Sequence, residues 1–155
     1  MHELNLPSFD ARLKRDGEKI RIFDTIRKKY VACTPEEWVR QHFMHYLISV
    51  KNTPTGLIVL EKQIVYNTMT RRPDILVYDR QNKPVLIVEC KAPDVPISQD
   101  TFDQIARYNS VIKAPFLVVT NGLKHYCCKM DHDSISYRFL EDIPGYGEML
   151  MNSDI

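Results

Sequence analysis

The chain has 155 residues, 44% hydrophobic and 26% charged, a size and balance at which one hydrophobic core is well supported and a second does not fit. Its 21 basic and 20 acidic residues leave a net charge of +1, so no global field draws it to a polyanion and any nucleic-acid contact must be local. Cys33, Cys90, Cys127 and Cys128 show no CxxC spacing and no apolar run nears the ~20 residues that span a bilayer, which argues against a disulfide scaffold and a membrane protein and for reduced thiols in the cytoplasm.

Residues 1–33 are polar and basic, carrying Lys14, Arg15, Lys19, Arg21, Arg27, Lys28 and Lys29. The first ten lack the apolar core of a secretion signal. The segment reads as an N-terminal arm that joins a sheet edge through a short strand at 19–23 or 30–33. A domain over 34–140 opens on Thr34-Pro35-Glu36-Glu37: an N-cap, a proline at the first helical position and a glutamate at the capping-box position. The helix that follows runs to about residue 49, with Val39, Phe43, Tyr46, Leu47 and Val50 as its inward stripe.

After the turn cluster Asn52-Thr53-Pro54-Thr55-Gly56, strands are predicted at 57–66, 71–79 and 84–91. Their cores, Leu57-Ile58-Val59-Leu60, Ile75-Leu76-Val77-Tyr78 and Val85-Leu86-Ile87-Val88, are apolar on both alternating faces, as in central strands covered on both sides. Residues 79–84 form the hairpin connection. Ser98 caps a second helix to about residue 113, with Phe102, Ile105, Ala106, Asn109 and Ile112 toward the sheet. Residues 115–120 are another buried strand, ended by Asn121-Gly122, and 123–130 and 134–140 read as edge strands around an Asp131-His132-Asp133 turn. The tail, 141–155, carries Pro144, Gly145 and Gly147 and is expected to be the least ordered segment. The order α-β-β-β-α-β-β describes an α/β fold, a mixed sheet with helices on its faces.

A hairpin symmetric about the Gln81/Asn82 bond sets Asp74 directly opposite Glu89. Opposed residues on one face have Cβ atoms ~4.5–5.5 Å apart, and like charges there repel. Glu89 and Lys91 share a face, while Cys90 points the other way. Two carboxylates and an ammonium therefore gather at the end of two apolar strands, where charge cannot enter the core unpartnered. Taken singly, each is an ordinary strand-end charge reaching solvent. Together, with proline-aspartate opening one strand and Glu-x-Lys closing the next, they favour a divalent ion on oxygen ligands, Mg²⁺ or Mn²⁺. The chemistry that follows is phosphodiester hydrolysis, with the ion activating water and Lys91 orienting it or stabilising the pentacovalent phosphate.

Arg72-Pro73-Asp74 followed by Val88-Glu89-Cys90-Lys91 resembles the bipartite signature of the PD-(D/E)xK nuclease superfamily, and Gln104-Ile105-Ala106-Arg107-Tyr108 resembles its QxxxY motif. From Thr34-Pro35-Glu36-Glu37-Trp38-Val39-Arg40-Gln41 to Val119-Thr120-Asn121-Gly122, about residues 30–130, the chain is similar to the N-terminal nuclease domain of type I restriction enzyme R subunits. The resemblance implies a restriction-endonuclease-like sheet. It implies that Asp74, Glu89 and the Cys90 carbonyl bind metal and that Lys91 is the catalytic lysine. Gln104 then stands at the catalytic edge, and Tyr108, one helical turn on, reaches a phosphate. The acidic residue that the family draws from its first helix corresponds to Glu36, with Glu37 as the alternative. The chain has no GxxxxGK[ST] phosphate loop, so the resemblance does not extend to the translocating ATPase of full R subunits.

The function expected is Mg²⁺-dependent cleavage of DNA in restriction or defence. Arg71 and Arg72 are expected on backbone phosphates. Near-neutral charge implies a partner that supplies affinity, either the other subunits of a restriction complex or a second copy of the chain. The rival is a catalytically silent nuclease-fold module that binds nucleic acid or a protein, against which the intact Asp74, Glu89 and Lys91 argue. His42 and His45 lack a third ligand and read as helix surface, Trp38 and Tyr46 read as core, and adjacent Cys127 and Cys128 face opposite ways.

Overall fold

The computed structural model describes residues 1–131 and 136–152. Its first three strands, β1 (Leu13–Asp16), β2 (Lys19–Asp24) and β3 (Lys29–Ala32), form an antiparallel sheet of their own. The expected arm that joins a sheet edge is thus replaced by a separate three-stranded sheet, because each strand finds its partner in the next hairpin. The residues before it lie along the domain. Trp38 Nε1 donates to the His2 carbonyl at 2.8 Å, and Asn5 N donates to that of Gly122 at 2.8 Å. Gly122 has φ +85, a backbone that favours glycine, and it lies against a Leu4 methyl.

Helix α1 (Pro35–Ser49) starts as its sequence predicts, with Thr34 Oγ1 accepting from Glu37 N at 3.1 Å. The segment predicted as one strand over 57–66 breaks in two. A 3₁₀ turn at Thr55–Leu57 leads into β4 (Ile58–Leu60), an edge strand rather than a central one. Glu61 then takes a left-handed backbone, φ +52, and the chain leaves the sheet. β5 (Ile64–Tyr66) and β6 (Met69–Arg71) pair only with each other, around an Asn67-Thr68 turn whose two residues both have positive φ.

β7 (Ile75–Tyr78) and β8 (Pro84–Cys90) are the central hairpin, followed by α2 (Gln99–Ile112), β9 (Phe116–Thr120), β10 (His125–Asp131), β11 (Ser136–Leu140) and α3 (Tyr146–Asn152). The main sheet has six strands in the order β11-β10-β9-β8-β7-β4, mixed because β8 and β9 run parallel across the α2 crossover. β10 is interior, not an edge, since β11 covers it. His132 and Asp133 of the expected turn lie outside the described residues. The tail carries a helix, α3, whose Tyr146 and Met149 are buried, with Tyr146 Oη donating to the Tyr78 carbonyl at 3.0 Å. Two apolar anchors at helical spacing outweigh its proline and glycines.

Strand alternation sorts the core into two layers. Ile75, Val77, Val88, Cys90 and Val118 pack with Val39, Phe43 and Leu47 of α1. Leu76, Ile87, Leu117 and Val119 pack with Phe102, Ile105 and Tyr108 of α2. Strands buried on both sides are why these runs read as continuously apolar. Among the described residues no helix is long and apolar enough to cross a membrane.

Candidate active site

The β7–β8 register decides which side chains meet. Ile75 pairs with Val88, Leu76 with Ile87 and Val77 with Leu86, as the symmetric hairpin requires, and a bulge slips the register only next to the turn. That turn is held by Asp79, whose Oδ1 accepts from Gln81 N at 2.9 Å and Lys83 N at 2.8 Å. One further step along the undisturbed register sets Asp74 opposite Glu89. Glu89 alternates with residues of the α1 layer and faces α2, whereas Asp74, one residue before β7, sits at the strand end where it also reaches Arg40 of α1.

The two carboxyl groups lie within electrostatic reach of one another, so the charge of Asp74 disfavours ionisation of Glu89. Asp74 Oδ2 accepts from Cys90 N at 2.7 Å, and Glu89 Oε2 accepts from the Tyr108 hydroxyl at 2.7 Å. Burial raises the Asp74 carboxyl above its ordinary range, against the pull of the Cys90 N–H and Arg40. Burial, then the charge of Asp74, pushes Glu89 up to about 8.

Lys91 shares a face with Glu89, and its backbone N–H donates to the Thr120 carbonyl at 2.8 Å, which fixes its place beyond the strand end. The Cys90 side chain lies in the α1 layer, so only its backbone borders the carboxylates. Glu36, exposed at the start of α1, is raised by burial and by the charge of Asp74 and lowered by that of Lys91, which places it within electrostatic reach of both. Glu37 turns away into ion pairs. Glu89, Lys91, Gln104, Tyr108, Arg71 and Arg72 all line one cavity of about 500 Å³. Gln104 is exposed on its wall, whereas Tyr108 is buried behind Glu89. The tyrosine hydroxyl expected on a phosphate is therefore spent on a carboxylate.

Sequence reasoning missed a neighbouring cluster. Arg40 pairs with Glu37, with Glu61 Oε1 at 2.9 Å and with Asp74 Oδ1 at 3.4 Å. Arg27 contacts Asp24 at 2.8 Å, Glu37 at 3.0 Å and Glu61 at 3.4 Å. Gln41 Nε2 donates to Asp24 at 2.9 Å and to Glu37 at 3.2 Å. The three-residue spacing of Glu37 and Arg40 was a readable signal. Asp24, Arg27 and Glu61 join only through tertiary structure. His42 and His45, expected on the helix surface, instead pack under Phe9, whose ring stacks on His45 at 4.0 Å and meets His42 edge-on at 4.8 Å.

Among the described residues, no three His, Cys, Asp or Glu side chains form a metal-holding group. An ion at Asp74 and Glu89 would complete its shell from backbone oxygen, water or substrate, which suits Mg²⁺.

The family model described as "Type I restriction enzyme R protein N terminus" matches residues 35–144. A solved structure described as a fragment of an HsdR subunit of a type I restriction enzyme from Vibrio vulnificus YJ016 is 20% identical over 63% of this chain, with a TM-score of 0.42. The match spans 21% of that chain. No curated protein matches.

Proposed function

Because this chain belongs to the family of type I restriction enzyme R protein N termini, we propose that it carries the nuclease centre of a restriction system: a PD-(D/E)xK site that hydrolyses DNA phosphodiesters with Mg²⁺ or Mn²⁺. The observation that carries the reading is the placement of two buried carboxyls at adjoining ends of two buried strands, Asp74 held by Cys90 N at 2.7 Å and Glu89 by the Tyr108 hydroxyl at 2.7 Å. A divalent ion relieves the repulsion between them. Asp74, Glu89 and the carbonyl of Cys90 would hold it, and bound there it supplies an acidified water and screens charge on the phosphate.

The chain's own residues do the rest. Lys91, on the face of Glu89, orients the attacking water and stabilises the anionic phosphorane. Tyr108 fixes the Glu89 oxygens and Arg40 those of Asp74, which preorganises the donor set. Glu36 adds negative charge beside Lys91 and helps to orient water, and Gln104 borders the reacting phosphate. Arg71 and Arg72 hold backbone phosphates and set position without reading bases. With a net charge of +1, DNA affinity comes largely from partner subunits of a restriction complex or from a second copy of this chain.

The test is cleavage of plasmid and of linear single-stranded DNA by purified protein, with and without Mg²⁺ or Mn²⁺. Metal-dependent cleavage that falls at least ~10²-fold in Lys91→Ala is expected. Cleavage unchanged in that variant rejects the assigned site. DNA binding with no cleavage under any metal makes the chain a silent nuclease-fold module.

A further inference from the structure

The cavity over Glu89 and Lys91 has two unlike walls. One is a stripe of α2, with Gln104 and Arg107 one turn apart. The other is the β5–β6 ribbon, which belongs to neither larger sheet. Its register places Tyr66 opposite Met69 and Ile64 opposite Arg71 on one face, and Val65 opposite Thr70 on the other. Tyr66, Met69, Thr70 and Arg71 line the cavity while Val65 does not, and Tyr66 packs against the α2 layer. Two consecutive left-handed residues, Asn67 with φ +48 and Thr68 with φ +63, close the ribbon in a two-residue turn that holds this face in place.

We propose that this channel admits one DNA strand at a time, so that the substrate at the site is single-stranded or locally opened DNA. The inference rests on the nuclease reading above and adds its strand preference. Three properties favour one strand over a duplex. A space of about 500 Å³ is of small-ligand size, room for a short stretch of one strand rather than for a paired duplex. Arg71 and Arg107 stand on opposite walls, where they meet phosphates of one backbone passing between them. Tyr66 and Met69 give the ribbon wall an apolar surface for unstacked bases, the combination of cationic groove and aromatic platform that binds single strands without reading sequence.

The test is fluorescence anisotropy of the whole chain with a labelled 12-nucleotide strand and with the matching blunt duplex, in EDTA so that no cleavage occurs. The single strand should bind at least about fivefold more tightly. Arg71→Ala and Arg107→Ala should each weaken it about fivefold and lower the salt slope by ~0.7 per lost phosphate contact. Met69→Glu, facing the channel, should weaken binding similarly. Val65→Glu, on the outer face of the same ribbon, should leave it unchanged, and thermal melts of the two variants report any loss of folding. Equal or tighter duplex binding, equal effects of the Met69 and Val65 substitutions in folded proteins, or no binding to either DNA overturns the channel. Lys91-dependent cleavage without strand preference rejects the channel and leaves the nuclease reading standing. Single-strand binding with this pattern of substitutions but no cleavage does the reverse.

Discussion

Between the N-terminal sheet and α1, the carboxylates of Asp24, Glu37 and Glu61 each face a guanidinium of Arg27 or Arg40. A few residues away, at the ends of β7 and β8, Asp74 and Glu89 face each other. The two clusters touch through Arg40 and respond oppositely to pH. Burial alone would raise Asp24, but the backbone N–H and guanidinium of Arg27 bring it below the ordinary range, and the hydrogen bond from Arg40 lowers Glu61. Their contribution to stability is present above the ordinary carboxylate range and is lost as pH falls through the lowered values. Asp74 and Glu89 are raised, so folding loses stability as pH climbs from the ordinary range toward about 8. Buried acid matched by arginine serves the fold. Buried acid matched by acid weakens the fold.

The sharpest way to break this contrast is Arg40→Met, which removes one of the two guanidiniums on buried Glu37 and the one on Asp74 together. A loss of ~3–5 kcal/mol is expected, since an uncompensated buried charge remains, lowering Tm by ~10 °C in a thermal melt. A loss under ~1 kcal/mol would rank the cluster with surface pairs. Next, Glu89→Gln should stabilise the metal-free protein by ~1–3 kcal/mol at pH 8 and by almost nothing at pH 5, and should remove any rise in Tm on adding Mg²⁺. A gain that is equal at both pH values would deny the carboxyl pair its role. Tyr108→Phe keeps the buried ring and removes the donor to Glu89. Metal affinity, followed by titration, should fall ~10-fold while the melt changes little. The smallest effect belongs to Glu36→Gln, exposed and outside the ion pairs. Cleavage should drop about threefold with Tm unmoved within ~1 °C.

Much of this contrast was legible in the chain on one side only. Asp74, Glu89 and Lys91 sit on or next to the ends of two buried strands, where period-two alternation and a short hairpin fix relative position from local sequence. The slip in register next to the turn escaped notice, but it lies beyond the residues that matter. The arginine cluster was illegible because its members come from β2, the β2–β3 turn, α1 and the residue after β4, and nothing local makes Arg27 face Glu37. The break at Glu61 was hidden likewise: Leu57-Ile58-Val59-Leu60 looks central by composition, and only tertiary structure makes it an edge. In the tail, proline and glycine outweighed two apolar anchors that needed a core already in place.

The closeness of Asp74 and Glu89 along the chain has a kinetic side. They meet through a five-residue connection, so the hairpin that apposes them closes over a short loop, at little entropic cost. Arg40 reaches Asp74 from 34 residues away, and Tyr108 reaches Glu89 only after α2 has crossed over to seat β9 beside β8. By loop length alone, the repelling acids are cheaper to bring together than the groups that steady them. A divalent ion captured at that hairpin would therefore act as a folding aid, and refolding of the chain should speed up when it is present.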